Sequence, residues 1–180
     1  KYEKRKEEKK NSPHRTENKA AQAEAQKEKK SKKKETKKEE NKINEAILKL
    51  KEFGFKNTKK RQEILTLFAC NDRYLSAQTV HEKLTENYPT MSYNTTYRNV
   101  YDFVEAGILE ATEYNQEQHF RMNCLDHNHH HHHFICTNCG MAIPLETCPM
   151  DLTKMTDALN DVQIDTHRFE IFGLCSKCIV

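Results

Sequence analysis

Hydrophobic residues enter this chain late, in short periodic groups. Residues 1–40 hold no Leu, Ile, Val, Phe or Met, so that stretch has no apolar face whose burial could offset its ordering entropy. From Asn41 the pattern turns helical. Ile43, Ile47, Leu50 and Phe53 recur at helical spacing, and Gly54 can cap the end. Thr58 is placed to N-cap a second helix whose Ile64, Leu65 and Phe68 face inward. A third helix is expected after Ser76 and before Pro89. A fourth begins near Ser92 and ends at Gly107, with Tyr93, Tyr97, Val100 and Val104 as its buried stripe or its edge. The segments "ILEATEY" and "QHFRMNC" are rich in β-formers and flank the polar turn Asn115–Glu117, which predicts a hairpin.

Short helices followed by a hairpin outline a winged helix-turn-helix. In that architecture the last helix enters the DNA major groove and the wing touches the backbone. A small helical bundle with a hairpin is the plainer alternative. After Cys124 the character changes. "HFIC", "MAIPL" and "VQIDTHRFEIFGLC" read as three strands, and "CPMDLTKMTDALN" as a short helix with Pro149 in its first turn. The expected fold class is therefore α+β. A low-complexity tail without stable structure covers 1–40, a winged-helix domain 41–123, and a small α+β domain 124–180. The last is small enough that a metal staple or a second copy would help secure it.

Charge sharpens this division. Residues 1–40 carry 16 Lys/Arg against 9 Asp/Glu, a net +7, and the rest 14 against 18, a net −4. The tail reads as a solvated arm that can add non-specific DNA contact. Its apolar content matches neither a signal peptide nor a membrane span, so a cytoplasmic protein is expected. In a reducing compartment the seven cysteines point to metal thiolates or redox centres rather than structural disulfides.

Cys136 and Cys139, and Cys175 and Cys178, form two C-x-x-C pairs. Two such knuckles complete a tetrahedral four-cysteine zinc site with no open position, which is structural rather than catalytic. A single redox pair is the competing reading, and two pairs argue against it. The histidine run His129–His133 is internal and leads directly into an apolar strand. It reads as a metal site rather than a purification tag or a solvated loop. Along a strand, His131 and His133 point one way, and His130 and His132 the other. Glu110 and Cys124 can join the first pair, making a site with ligands from both domains. Asp151 and His167 can join the second. The plainer readings are a solvated strand residue for Glu110 and a core thiol for Cys124. For His167 the plainer reading is a buried histidine, and for Asp151 a first-turn helix carboxylate. Cys70 and Cys148 have no assigned role beyond small buried residues.

The segments "SYNTTYRNVYDFVEAGIL", "HHHHHFICTNCG" and "THRFEIFGLCSKC" together resemble the ferric uptake regulator family over residues of about 41–180. Within it the chain is most similar to the zinc uptake regulators of Gram-positive bacteria, given "HHHHHFIC", "CPMD" and Cys124. The resemblance implies a homodimeric, zinc-responsive repressor of metal-uptake genes with no catalytic activity and no small-molecule substrate. Residues 124–180 would be its dimerisation domain. The structural zinc is implied at Cys136, Cys139, Cys175 and Cys178, and the regulatory zinc at Glu110, Cys124, His131 and His133. A third site is implied at His130, His132, Asp151 and His167. The DNA-contacting residues are implied at Tyr97 and Arg98, with Thr95, Asn94 and Tyr93 beside them. Lys59, Lys60 and Arg61 are candidate phosphate contacts. A thiolate at Cys124 favours zinc over ferrous iron. A sister sensor of iron, manganese or peroxide is the alternative. A zinc hydrolase or deaminase is disfavoured, because the chain lacks H-E-x-x-H and the deaminase pattern. A zinc buffer that never touches DNA is the remaining rival.

Overall fold

The computed structural model describes residues 13–124, 132–145, 147–148, 159, 161–165 and 167–179. The chain divides into two units, Lys1–Asn41 and Lys42–Val180. Where composition predicts a tail without stable structure, helix α1 runs Pro13–Glu52. Proline suits a first helical turn, and Ala, Gln, Glu and Lys, which dominate this stretch, are strong helix formers. Among the described residues no helix is long and apolar enough to cross a membrane.

In the second unit three helices start on a hydroxyl cap. Thr58, Ser76 and Ser92 accept backbone N–H groups three residues on, opening α2 (Lys59–Ala69), α3 (Ala77–Thr85) and α4 (Tyr93–Glu105). Ala46 and Leu50 of α1 pack with Leu65 and Phe68 of α2, Val80 and Leu84 of α3, and Val100 and Phe103 of α4. The buried stripe of α4 is Thr96, Val100 and Phe103. Tyr93 and Tyr97 lie outside it and are exposed.

Strands β1 (Leu75–Ser76), β2 (Leu109–Tyr114) and β3 (Glu117–Met122) form an antiparallel sheet in the order β1-β3-β2. The β2–β3 turn holds Asn115 at φ 53° and Gln116 at φ 63°. Two positive φ values are what a two-residue hairpin loop needs to match strand twist. This hairpin is the wing.

The second sheet is β5 (Ala142–Leu145), β4 (His132–Cys136) and β6 (Glu170–Gly173), with β4 central, antiparallel to β5 and parallel to β6. Of the strand expected over 162–175, the described strand is β6, Glu170–Gly173, which pairs with His133–Cys136 of β4. Pro144 sits on the edge strand β5, where a missing N–H is tolerated. The alternation of β4 gives the sheet two distinct faces. His133 and Ile135 face the wing side, where Ile135 packs with Tyr74 and Tyr114. His132 and Phe134 face the other side. There Phe134 stands in register between Ile143 and Ile171, both more than 40% exposed.

The sheets meet at Tyr74. Its N–H donates to the Gly140 carbonyl at 2.8 Å, and Arg73 bridges Met141. Gly140 has φ +70°, and a Cβ there would sit 2.2 Å from the Tyr74 carbonyl oxygen. Asn115 Nδ2 donates to the Thr137 carbonyl at 2.9 Å and Thr112 Oγ1 to Glu170 Oε2 at 2.8 Å, so the wing docks along the knuckle and β6.

Candidate metal centres and nucleic-acid interface

Cys136 ends β4 and Cys139 lies in the turn after it, while Cys175 and Cys178 follow β6. Because β4 and β6 are adjacent and parallel, both turns emerge at the same end of the sheet. The four sulfurs lie within 4.8 Å of one another. A Zn–S bond of ~2.3 Å in a tetrahedron sets S···S at about 3.8 Å; Cys139 Sγ and Cys175 Sγ are 3.8 Å apart. Burial pushes the Cys136 thiol up, but backbone N–H donors from Cys175, Cys139 and Asn138 outweigh it and bring it to about 6. At Cys178 a hydrogen bond from Asn138 acts downward, while the neighbouring thiol Cys175, burial, Cys139 and Cys136 drive it up to about 11. The thiol of Cys136 is thus pushed down and that of Cys178 up.

A second cluster lies on the opposite face of β4 from the wing. His132 Nε2, Cys148 Sγ and His167 Nε2 are each 3.2 Å from the other two. An imidazole nitrogen offers a single proton or a single lone pair, so it makes one full hydrogen bond. Three separate hydrogen bonds therefore cannot close this triangle. A tetrahedral zinc with bonds of ~2.0–2.1 Å to nitrogen spaces two ligand nitrogens by about 3.3 Å, so the triangle fits one face of such a site. His130 and Asp151, expected in this set, lie outside the described residues. Cys148, unassigned from the sequence, takes the third corner among the described residues. Its partners are 16 and 19 residues away, so no local spacing announces it.

The third cluster joins the wing to β4. Glu110 on β2 and Arg121 on β3 are direct cross-strand partners. Arg121 Nη1 donates to Glu110 Oε1 at 3.2 Å and to His133 Nε2 at 2.9 Å. Tyr74, buried beneath, donates its hydroxyl to the same Glu110 oxygen at 2.8 Å. Burial and then the Glu110 charge push the Tyr74 phenol strongly up. Glu110 and His133, expected to share a metal, thus share a guanidinium. Among the described residues, Cys124 does not join this pair in a group of ligand atoms within 4.8 Å of one another, and it is exposed. It lies one residue past Asn123, whose N–H makes the last hydrogen bond of the hairpin, to Ile108 O. His131 lies outside the described residues.

Tyr93, Asn94, Thr95, Tyr97 and Arg98 are all exposed on α4. Tyr93, Tyr97 and Tyr101 form a ladder with ring centroids 6.0 and 4.5 Å apart, continued to Phe120 of the wing at 5.8 Å. The Tyr101 hydroxyl donates to Gln118, and hydrogen bonding with Tyr97, then burial, push its phenol up to about 12. A cleft of about 320 Å³ between α4 and the wing is lined by these rings and by Gln116, Glu117 and Gln118. Lys59 and Lys60 remain exposed, but Arg61 does not serve as a free phosphate contact. It donates to Asn99 Oδ1 at 2.8 Å, to Asp102 and to the Lys56 carbonyl, pinning α2 to α4.

Residues 52–172 match the model of the ferric uptake regulator family. A ferric uptake regulation protein of Staphylococcus epidermidis is 43% identical over 135 residues, covering 75% of this chain and 94% of that relative. The solved ferric uptake regulator of Helicobacter pylori is similar with a TM-score of 0.58 at 19% identity, over 78% of this chain and 93% of that one. A solved zinc uptake regulator complexed with zinc and DNA is similar with a TM-score of 0.59 at 23% identity, over 78% and 95%. At those identities the two structures speak for the fold alone.

Proposed function

Because this chain belongs to the ferric uptake regulator family of metal-responsive, DNA-binding transcription regulators, we propose that it is a zinc-responsive repressor of metal-uptake genes, active as a homodimer. The observation that carries the choice of metal is the His132–Cys148–His167 triangle. A thiolate beside two imidazoles is a soft donor set that suits zinc better than ferrous iron. The competing reading, iron, draws on the name of the staphylococcal relative.

A bound zinc ion supplies a tetrahedral cross-link between its ligands. Cys136, Cys139, Cys175 and Cys178 would hold one that ties β4 to β6. The expected regulatory set of Glu110, Cys124, His131 and His133 draws support from the meeting of Glu110, on the wing, with His133, on β4. A metal held by this pair would tie the wing to the second sheet. His132, Cys148 and His167, with His130 and Asp151, are the proposed third site.

The row of half-buried Phe134 between exposed Ile143 and Ile171 supports a second copy covering that face of the sheet, since contiguous apolar surface of this kind marks interaction sites. The exposed α4 residues Tyr93, Asn94, Thr95, Tyr97 and Arg98 support insertion of α4 into the major groove, with the wing on the backbone. Binding of the intact protein to AT-rich palindromic DNA is the test, followed by fluorescence anisotropy with zinc, ferrous iron, manganese or a chelator. Tight binding with zinc alone supports the reading. Tight binding with iron and not zinc assigns the chain to iron sensing, and equal binding in chelator removes metal responsiveness altogether.

A further inference from the structure

Among the described residues, Arg121 bonds to both halves of the proposed regulatory pair, and nothing in the sequence marks it beyond a charged position on the wing. We infer that Arg121 is an internal competitor for the metal: a built-in cation that holds Glu110 and His133 together and must be expelled before a divalent ion can bind them. This rests on the reading of Glu110 and His133 as regulatory ligands.

The geometry leaves little room for coexistence. Arg121 Nη1 donates to Glu110 Oε1 at 3.2 Å and to His133 Nε2 at 2.9 Å. Nε2 therefore presents its lone pair, the same lone pair a metal would need, with the ring proton on Nδ1. A single guanidinium nitrogen occupies the position between carboxylate and imidazole, and a second cation cannot take it at the same time. The arrangement is built rather than incidental. Glu110 and Arg121 are direct cross-strand partners, their side chains are only 27% and 17% exposed, and His133 is buried. The guanidinium carbon lies 6.0 Å from the Tyr74 ring centroid, while the Tyr74 hydroxyl grips the same Glu110 oxygen. Tyr74 thus keeps the carboxylate aimed at His133 after Arg121 leaves.

The consequence is a raised threshold. The pair does not stand open to trace metal. Each binding event must break the charge-assisted hydrogen bonds of Arg121, which are stronger than neutral ones.

The test uses the full chain with its four-cysteine site loaded, and zinc affinity of the remaining sites measured by competition with a chromophoric chelator. Arg121→Met, which keeps an apolar stem and removes the cation, is expected to tighten the regulatory zinc about tenfold. Arg121→Lys keeps the charge but not the fork, and is expected to tighten it less. Thermal unfolding checks that each variant folds; if Arg121→Met does not, Arg121→Lys carries the test. Glu110→Gln separates the competitor role from the ligand pair beneath it. If Glu110→Gln weakens zinc while neither Arg121 variant tightens it, the competitor role is overturned and the regulatory pair stands. If Glu110→Gln leaves zinc binding unchanged, the regulatory pair falls and the competitor role with it.

Discussion

Gly140→Ala tests how the wing and the zinc knuckle are joined. Gly140 closes the Cys136–Cys139 knuckle at φ +70°, and an added Cβ would lie 2.2 Å from the Tyr74 carbonyl oxygen and 3.2 Å from its carbon. The obstructing atoms are backbone, so they cannot rotate away. An alanine in the left-handed region costs about 1–2 kcal/mol by itself. Relieving the overlap means parting Tyr74 from Gly140, which loses the 2.8 Å N–H···O bond and the Arg73–Met141 bridge beside it. Each such bond contributes about 1 kcal/mol. The expected loss is about 3 kcal/mol, or about two decades in the folding equilibrium. Gly54→Ala is the matched control: φ there is +78°, but nothing lies within 4 Å of its Cβ position, so only the conformational cost applies. The chain has no tryptophan, so urea unfolding is best followed by circular dichroism. If Gly140→Ala costs no more than Gly54→Ala, the close approach at Tyr74 is not what joins the two parts.

Cys148→Ala should weaken one zinc per chain while leaving the zinc held by the four-cysteine set in place, as read by chelator competition; unchanged binding would remove Cys148 from the ligand set. Arg61→Ala should lower stability by about 1–3 kcal/mol, because it leaves the part-buried Asp102 carboxylate and Asn99 amide without their donor, and denaturant midpoints will measure it. Burial, then the charges of Cys136, Cys139 and Glu117, push the Tyr114 phenol up to about 12 from an ordinary 10.0. A raised phenol favours the folded state's neutral form, so its stability contribution is full below about pH 10 and is lost as pH rises through about 12. Phenolate absorbance and melting temperature across that range should move together.

Much of the fold was legible because its signals are local. The caps Thr58, Ser76 and Ser92, the Asn115–Gln116 turn and the paired C-x-x-C motifs all act within a few residues of themselves. The strand alternation separating His132 from His133 is equally local. What escaped depends on distant partners. Cys148 looks like an isolated thiol until β4 and the segment before β6 bring His132 and His167 to it. Arg121 looks like a solvated wing residue until His133 arrives from the next sheet. Arg61 reads as a phosphate contact because the sequence does not show Asn99 and Asp102 waiting on α4. Val162 and Ile164 alternate like a strand, but among the described residues they lie outside β6 and both stay exposed.

The central claim is that a cation shared by Glu110 and His133 couples metal to DNA. Operator affinity of the intact chain, measured against buffered free zinc, addresses it directly when wild type and Glu110→Gln are run together. A coupling of ~1–3 kcal/mol predicts a rise of about 5–150-fold for wild type, and a flat response for Glu110→Gln with its four-cysteine zinc retained. A variant that responds like wild type, or a wild type that grips its operator equally in zinc and in chelator, would contradict the account.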